Sequence, residues 1–187
     1  MMQSQLYVLT GGPGSGKTSV LEALKTLGHQ CSPEVGRAII QSQMKTGGHA
    51  LPWDDKLAFR DEMLAQDKRL HQQYSQRGGV VFFDRGIVDT LGYSRLENLT
   101  LSTELLESSR AYQYENKVFL FPPWEEIFTN DSERKQDFKE AIATYQIMKQ
   151  TYHDLGYRCV EVPKVSVEQR VAFILSHLTL DTTFSEG

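Results

Sequence analysis

The residues best suited to chemistry stand near the start of the chain, in LTGGPGSGKTSV, Leu9 to Val20. Gly11, four further residues, then Gly16, Lys17 and Thr18 give the spacing G-x-x-x-x-G-K-[ST], a phosphate-binding loop pattern. Glycines permit positive φ, so backbone N–H groups can turn inward around an anion. A helix starting at the loop aims its unpaired N–H groups and the positive end of its dipole at the same anion. Lys17 would reach β- and γ-phosphates, and the Thr18 hydroxyl would ligate Mg²⁺. Gly11, Gly12, Pro13, Gly14, Ser15, Gly16, Lys17, Thr18 and Ser19 are the expected cradle of a nucleoside triphosphate, ATP or GTP, with Mg²⁺.

Three other stretches carry groups that could act on such a ligand. VVFFDRG ends an apolar run with Asp84 and Arg85. An acid at the carboxyl end of a central strand faces the ligand edge of a doubly wound sheet. Asp84 could hold Mg²⁺ through water or take a proton from an acceptor hydroxyl, and Arg85 could contact a phosphate or the acceptor. In SPEVGR, Glu34 and Arg37 follow the second strand at neighbouring helical positions. They either bind the acceptor or pair with each other on the surface. In NDSERKQDFKE, Arg134, with Lys135 and Lys139, either closes over the nucleotide or belongs to a solvated helix of alternating charge.

The elements that must position these groups are legible as alternating strand and helix signals, which favour a parallel sheet covered on both faces. QLYVLT is an apolar strand before the loop, and SVLEALKTLG a helix after it that Gly28 ends. HQCSPEV reads as a short strand and EVGRAIIQSQMK as a helix, followed by a long helix from about Trp53 to Gln76. VVFFD is a buried central strand. Two helical stretches, about 87–98 and 102–113, precede the strand KVFLF. Two prolines break the chain there, and the long helix that follows carries Phe138, Ala141, Ile142, Tyr145, Met148, Tyr152 and Leu155 on one face, with Gly156 as its cap. YRCVEVP is a fifth strand, Ser166 and Gln169 form a capping box for the last helix, and DTTFSEG is a frayed tail. Trp53 is expected in the core.

The 187 residues suit one α/β domain, taken as 1–187, and 40% hydrophobic with 24% charged residues is ordinary globular composition. A net charge of −4 argues against nonspecific nucleic-acid binding. No run is long enough for a membrane span, and MMQSQLYVLT lacks the charged start and cleavage site of a leader, so a cytoplasmic protein is expected. Cys31 and Cys159 match no metal-ligand spacing and are expected as free buried thiols.

Taken together, GGPGSGKT, SPEVGR, FFDRG, an arginine before the long helix and the closing GYRCVEVP resemble the P-loop nucleoside and nucleotide kinases, most of all the ATP-binding AAA-type domain of the NadR-type ribosylnicotinamide kinases. The resemblance implies a P-loop NTPase fold: a five-stranded parallel sheet of order 2-3-1-4-5 between helices, with a small helical lid around residues 123–138. By it, Asp84 corresponds to the strand-end acid near the acceptor hydroxyl, Arg85 to its neighbour and Arg134 to a lid arginine. Where the NadR-type pattern carries an aromatic between its glutamate and arginine, Val35 and Gly36 stand here.

The function expected is phosphoryl transfer from Mg·ATP or Mg·GTP to a small, nucleoside- or nucleotide-like acceptor, with Lys17, Asp84, Arg85 and Arg134 catalytic, Glu34, Arg37, Asp84 and Arg85 on the acceptor, and Thr18 and Asp84 on the metal. The alternative is a nucleotide-dependent switch acting through a protein partner. A Ras-like form of it is disfavoured, because FFDRGI lacks D-x-x-G and ENKVF lacks the aspartate of N-K-x-D. An AAA+ motor fails on length. A polynucleotide kinase would require Arg37, Arg60, Arg85 and Arg95 to share one face.

Overall fold

The computed structural model describes residues 3–127 and 132–182, with side chains for 3–126 and 137–178. The strands are β1 (Ser4–Gly11), β2 (Gln30–Ser32), β3 (Gly79–Asp84), β4 (Lys117–Phe121) and β5 (Arg158–Glu161), all parallel and ordered β2-β3-β1-β4-β5. The helices are α1 (Lys17–Thr26), α2 (Val35–Thr46), α3 (Lys56–Ser75), α4 (Ile87–Leu96), α5 (Thr103–Ala111), α6 (Ser132–Asp154) and α7 (Val167–Thr182). A single 3₁₀ turn, Glu125–Ile127, follows the proline pair. This is the architecture and strand order that the resemblance to P-loop kinases implies.

Side-chain alternation along the central strands divides the core into two layers. Leu6 and Val8 of β1, with Val81 and Phe83 of β3, point into the layer covered by α3, α4 and α6. Tyr7 and Leu9, with Phe82, Phe119 and Phe121, point into the layer closed by α1 and α7. A third cluster, Val35, Ile39, Phe59 and Met63, joins α2 to α3 and forms a wall of the site described below.

Several boundaries follow from local bonding. The long third helix starts at Lys56 rather than Trp53, because the Asp55 side chain caps it, accepting from the Ala58 N–H at 3.0 Å. Ahead of that cap the chain closes on itself: the Asp55 N–H donates to the His49 carbonyl at 3.1 Å, and His49 Nδ1 lies 2.7 Å from Asp54 Oδ2. This turn carries Trp53 outward, so Trp53 is 64% exposed and not part of the core. The capping box of α7 is formed, with the Gln169 N–H donating to Ser166 Oγ at 3.2 Å and the Ser166 N–H to Gln169 Oε1 at 3.3 Å. Cys31 and Cys159 are free but only half-buried. The side chains of Arg134 and Lys135, the tail from 183 and part of the expected 123–138 lid lie outside the described residues.

The two-layer core makes a contrast that denaturation can check. Phe82→Ala, at a fully buried position, is expected to lower the unfolding free energy by roughly 3–5 kcal/mol. Trp53→Ala is expected to change it by no more than about 0.5 kcal/mol. Urea titration of both variants measures the difference.

Candidate functional site

The site is built where β1 ends. Its register with β3 sets Leu9 beside Asp84, and its register with β4 sets Gly11 beside Phe121. Beyond that pairing the chain passes close under α6: a Cβ added at Gly12 would lie 2.7 Å from the Ala141 carbonyl oxygen. Only glycine fits there. Gly16, at φ 80°, is the N-cap of α1 and supplies no side-chain cap, which leaves the first-turn N–H groups for a ligand. The turn is held from below by Arg170 of α7. That buried guanidinium donates to the Ser15 carbonyl at 2.8 Å and to the Pro163 carbonyl at 2.9 Å, and it stands over the rings of Phe121 and Trp124.

Lys17, the first residue of α1, is buried and forms an ion pair with Asp84 at the end of β3. Burial pushes its ammonium below the ordinary lysine range, the Arg85 charge adds to that, and Asp84 and Glu34 oppose it. Arg85 is one of two non-glycine residues with positive φ among those described, at 68°, and its N–H donates to the Leu9 carbonyl at 3.0 Å. A left-handed arginine costs on the order of 1–2 kcal/mol, and strain of this kind gathers at functional sites. Its buried Nε has no hydrogen-bond partner among the described residues.

Two cavities lie here, the smaller lined by Asp84 and the larger by Arg85. The smaller, about 260 Å³, lies between Thr18, Asp84 and the start of α2. The larger, about 620 Å³, is bounded by Phe59, Met63, Asp67, Arg85, Asp89 and Tyr93. Glu34, Arg37 and Gln41 line both. Of the two readings of Glu34 and Arg37, no ion pair joins them, and both instead face the shared rim. Lys17, Asp84, Arg85, Glu34, Arg37 and Thr18 are thus gathered at one edge of the sheet. The four arginines needed for a nucleic-acid face are not: Arg60 is buried, donating to Ser94 Oγ at 3.1 Å and the Thr100 carbonyl at 2.9 Å, and Arg95 donates to Asp154 at 2.8 Å.

Beneath the site lies a polar hub that the sequence reading missed. Asp89, on α4, accepts hydrogen bonds from Thr10 Oγ1 of β1, from Tyr152 OH of α6 and, at 2.9 Å, from the Gly86 N–H. Burial raises its pKa against the Arg85 charge and these bonds. Asp67 on α3 is buried beside it, accepts from Thr90 Oγ1 at 2.8 Å and is pushed up to about 8, chiefly by burial. Tyr93 OH, buried at the same cavity, has no partner among the described residues.

The donor set fits a Mg²⁺ ion that arrives with phosphates. Thr18 and Asp84 offer hard oxygen ligands across the smaller cavity, and Mg²⁺ in nucleotide sites takes one or two protein oxygens, substrate phosphates and water. Among the described residues no group of three or more His, Cys, Asp or Glu could hold a metal by itself.

Fold, loop and strand-end acid together define a P-loop nucleotide kinase-like domain. The chain belongs to the AAA domain family, whose sequence profile matches residues 6–170. No curated protein sequence matches it significantly. Among solved structures it is similar to thymidylate kinase from Candida albicans, with TM-score 0.65 and 17% identity over 96% of this chain and 93% of that one. It is similar to deoxyadenosine kinase from M. mycoides, with TM-score 0.58 and 14% identity over 94% and 99%. The NadR protein in complex with NR matches with TM-score 0.58 and 13% identity, over 85% of this chain and 43% of that one. At these identities the likeness is one of fold. No helix among the described residues is long and apolar enough to cross a membrane.

Asp67 allows a prediction with a definite sign. Its folded pKa, about 8, lies above the ordinary carboxyl value of 3.8, so the folded state holds a proton that the unfolded state releases. The stability this carboxyl contributes is complete below about pH 4 and is lost as pH rises towards 8. Asp67→Asn is therefore expected to be more stable than wild type at pH 8, by an amount that vanishes near pH 4. Thermal unfolding across that range measures the gap; a gap constant with pH would contradict the buried neutral acid.

Proposed function

We propose that the chain is a small-molecule kinase, transferring the γ-phosphoryl group of Mg·ATP or Mg·GTP to a hydroxyl or phosphate of a nucleoside- or nucleotide-like acceptor. It would act as a single domain in the cytoplasm, where both substrates are at hand. The observation that carries the reading is the Lys17–Asp84 pair, which ties the phosphate loop to the strand-end acid that lines the smaller cavity, beside Arg85 at the larger one. Solved structures of a thymidylate kinase and a deoxyadenosine kinase with a similar fold lend it support.

In this reading backbone N–H groups of the loop, Pro13 excepted, close around the triphosphate, and the Lys17 ammonium turns from Asp84 to the β- and γ-phosphate oxygens. Multiple phosphate charges outcompete a single carboxylate for that ammonium. Thr18 and Asp84 would hold Mg²⁺, which would supply positive charge to offset what develops on the phosphates. Asp84 then orients the acceptor hydroxyl or accepts its proton, and Glu34 and Arg37 fix the acceptor at the shared rim. Arg85 and Arg134 stabilise the transferring group. Catalysis is mostly positioning and electrostatics.

Consumption of ATP and GTP with Mg²⁺, measured with and without a panel of nucleosides, nucleotides and other hydroxyl compounds, tests the reading. A sharp rise with one compound and a phosphorylated product are expected; tight binding with slow hydrolysis that no compound accelerates would favour a switch. Lys17→Ala is expected to abolish turnover without unfolding the chain. Asp84→Asn is expected to reduce transfer by about 10²–10⁴-fold while nucleotide affinity changes only a few-fold. Equal transfer by Asp84→Asn would remove the acid from the mechanism.

A further inference from the structure

Besides the groups assigned to phosphoryl transfer, the larger cavity holds polar groups that this chemistry does not use. At its mouth stand Glu34, Arg37 and Arg85; deeper in, between the apolar walls of Phe59 and Met63, are Asp67, Thr90 and Tyr93. Phe59 and Tyr93 meet edge to face, 5.7 Å between ring centres, so the lining is aromatic on one side. Two buried polar atoms at this cavity, Arg85 Nε and Tyr93 OH, have no partner among the described residues. Leaving such groups unpaired costs stability, and a ligand that pairs them recovers it.

Asp67 is the third. It is 5% exposed, and its Oδ2 is the oxygen that accepts from Thr90 Oγ1. No cation bonds to it among the described residues. The charged and titratable groups around it are Asp89 and Arg85 from α4 and the turn before it, Glu34 and Arg37 from the start of α2, and Tyr93 and Tyr114, both pushed up by burial. One acid and one arginine dominate at Asp67 itself, and they oppose each other; burial decides, so the carboxyl is protonated at neutral pH. With Oδ2 accepting from Thr90, the proton belongs on Oδ1, which becomes a donor. The cavity then offers three donors: Asp67 Oδ1–H, Tyr93 O–H and Arg85 Nε–H.

We propose that Asp67 is a specificity-determining residue of this cavity, presenting a neutral carboxyl that with Tyr93 and Arg85 receives an uncharged planar ring bearing hydrogen-bond-accepting oxygen or nitrogen at its edge. The role rests on the reading of the cavity as the acceptor site. A cationic ring would draw the proton off Asp67 and pair with two buried carboxylates. A carboxylate-bearing ring would set a third acid against Asp67 and Asp89. The neutral ring alone uses the donors without ionising anything buried.

Benzamide, benzoate and benzamidinium are flat rings of one size whose charges stay fixed between about pH 6.5 and pH 9. Their binding to the full chain is followed by NMR shifts of the Met63 and Tyr93 side chains, and the Asp67 carboxyl carbon is titrated in the same samples. The Asp67 midpoint is expected at about pH 8, with benzamide bound at least tenfold more tightly than either charged ring at about pH 6.5. Benzamide affinity should fall about tenfold by pH 9 in wild type, because only the protonated carboxyl donates. Asp67→Asn, which keeps a neutral donor, should bind benzamide within threefold of wild type at pH 6.5 and show no fall, whereas Asp67→Leu should lose tenfold or more. An Asp67 midpoint below about pH 6, tightest binding of benzamidinium or benzoate, pH-independent binding to wild type, or no shift with any of the rings would each overturn the proposal. Failure of the kinase reading shows separately, as no acceptor-stimulated consumption of ATP by wild type, whatever the rings do.

Discussion

The parallel register of β1 with β3 is the constraint on which the rest of the molecule depends. It sets Leu9 against Asp84, so the strand that runs into the phosphate loop and the strand that ends in an acid finish side by side. One residue further on, the Arg85 N–H bonds back to the Leu9 carbonyl, which fixes the acid's turn to the stem of the loop. A slip of one residue would reverse the facing of every side chain on the strand and part Lys17 from Asp84. Burial of β1 at the centre of the sheet, with Val8 and Leu9 fully covered, enforces the register.

Around that axis the molecule places buried polar groups where each one ties two elements together. Asp89 joins β1 through Thr10, α6 through Tyr152 and the left-handed Arg85 turn through Gly86. Arg170 joins α7 and the β5–α7 connection to the Ser15 carbonyl of the loop. Such groups are costly to bury and stabilise only when fully bonded, so their concentration beside the loop indicates that geometry there is worth more than hydrophobic packing would be. Four buried polar atoms break the pattern among the described residues: Arg170 Nη2, Ser32 Oγ, Arg85 Nε and Tyr93 OH, the last two at the larger cavity.

Much of this was legible in the sequence because it is local. G-x-x-x-x-G-K-[ST] after an apolar run specifies strand, loop and helix within a few residues, KVFLF matches β4 residue for residue, and the Ser166–Gln169 box is a spacing of three. Asp84 was found because a strand's final acid has a known place in such a sheet. Asp89 was not, since its partners Thr10 and Tyr152 lie 79 and 63 residues away, and within VDTLGYSR it resembles any helical acid. Arg170 and Arg60 are buried, and no local pattern in the sequence announces a buried arginine. Trp53 read as core by residue type, while the His49–Asp54 turn that carries it outward is set by polar bonds that hydropathy does not register.

The account turns on the Lys17 ammonium serving two partners in succession, Asp84 in the free protein and phosphate in the complex. A structure of the chain with Mg²⁺ and a non-hydrolysable ATP analogue measures this directly. The prediction is that Lys17 Nζ lies within hydrogen-bond distance of β- and γ-phosphate oxygens, with Asp84 turned to the metal or the acceptor cavity. A nucleotide bound elsewhere, or one seated on the loop with the Lys17–Asp84 pair intact, would contradict it.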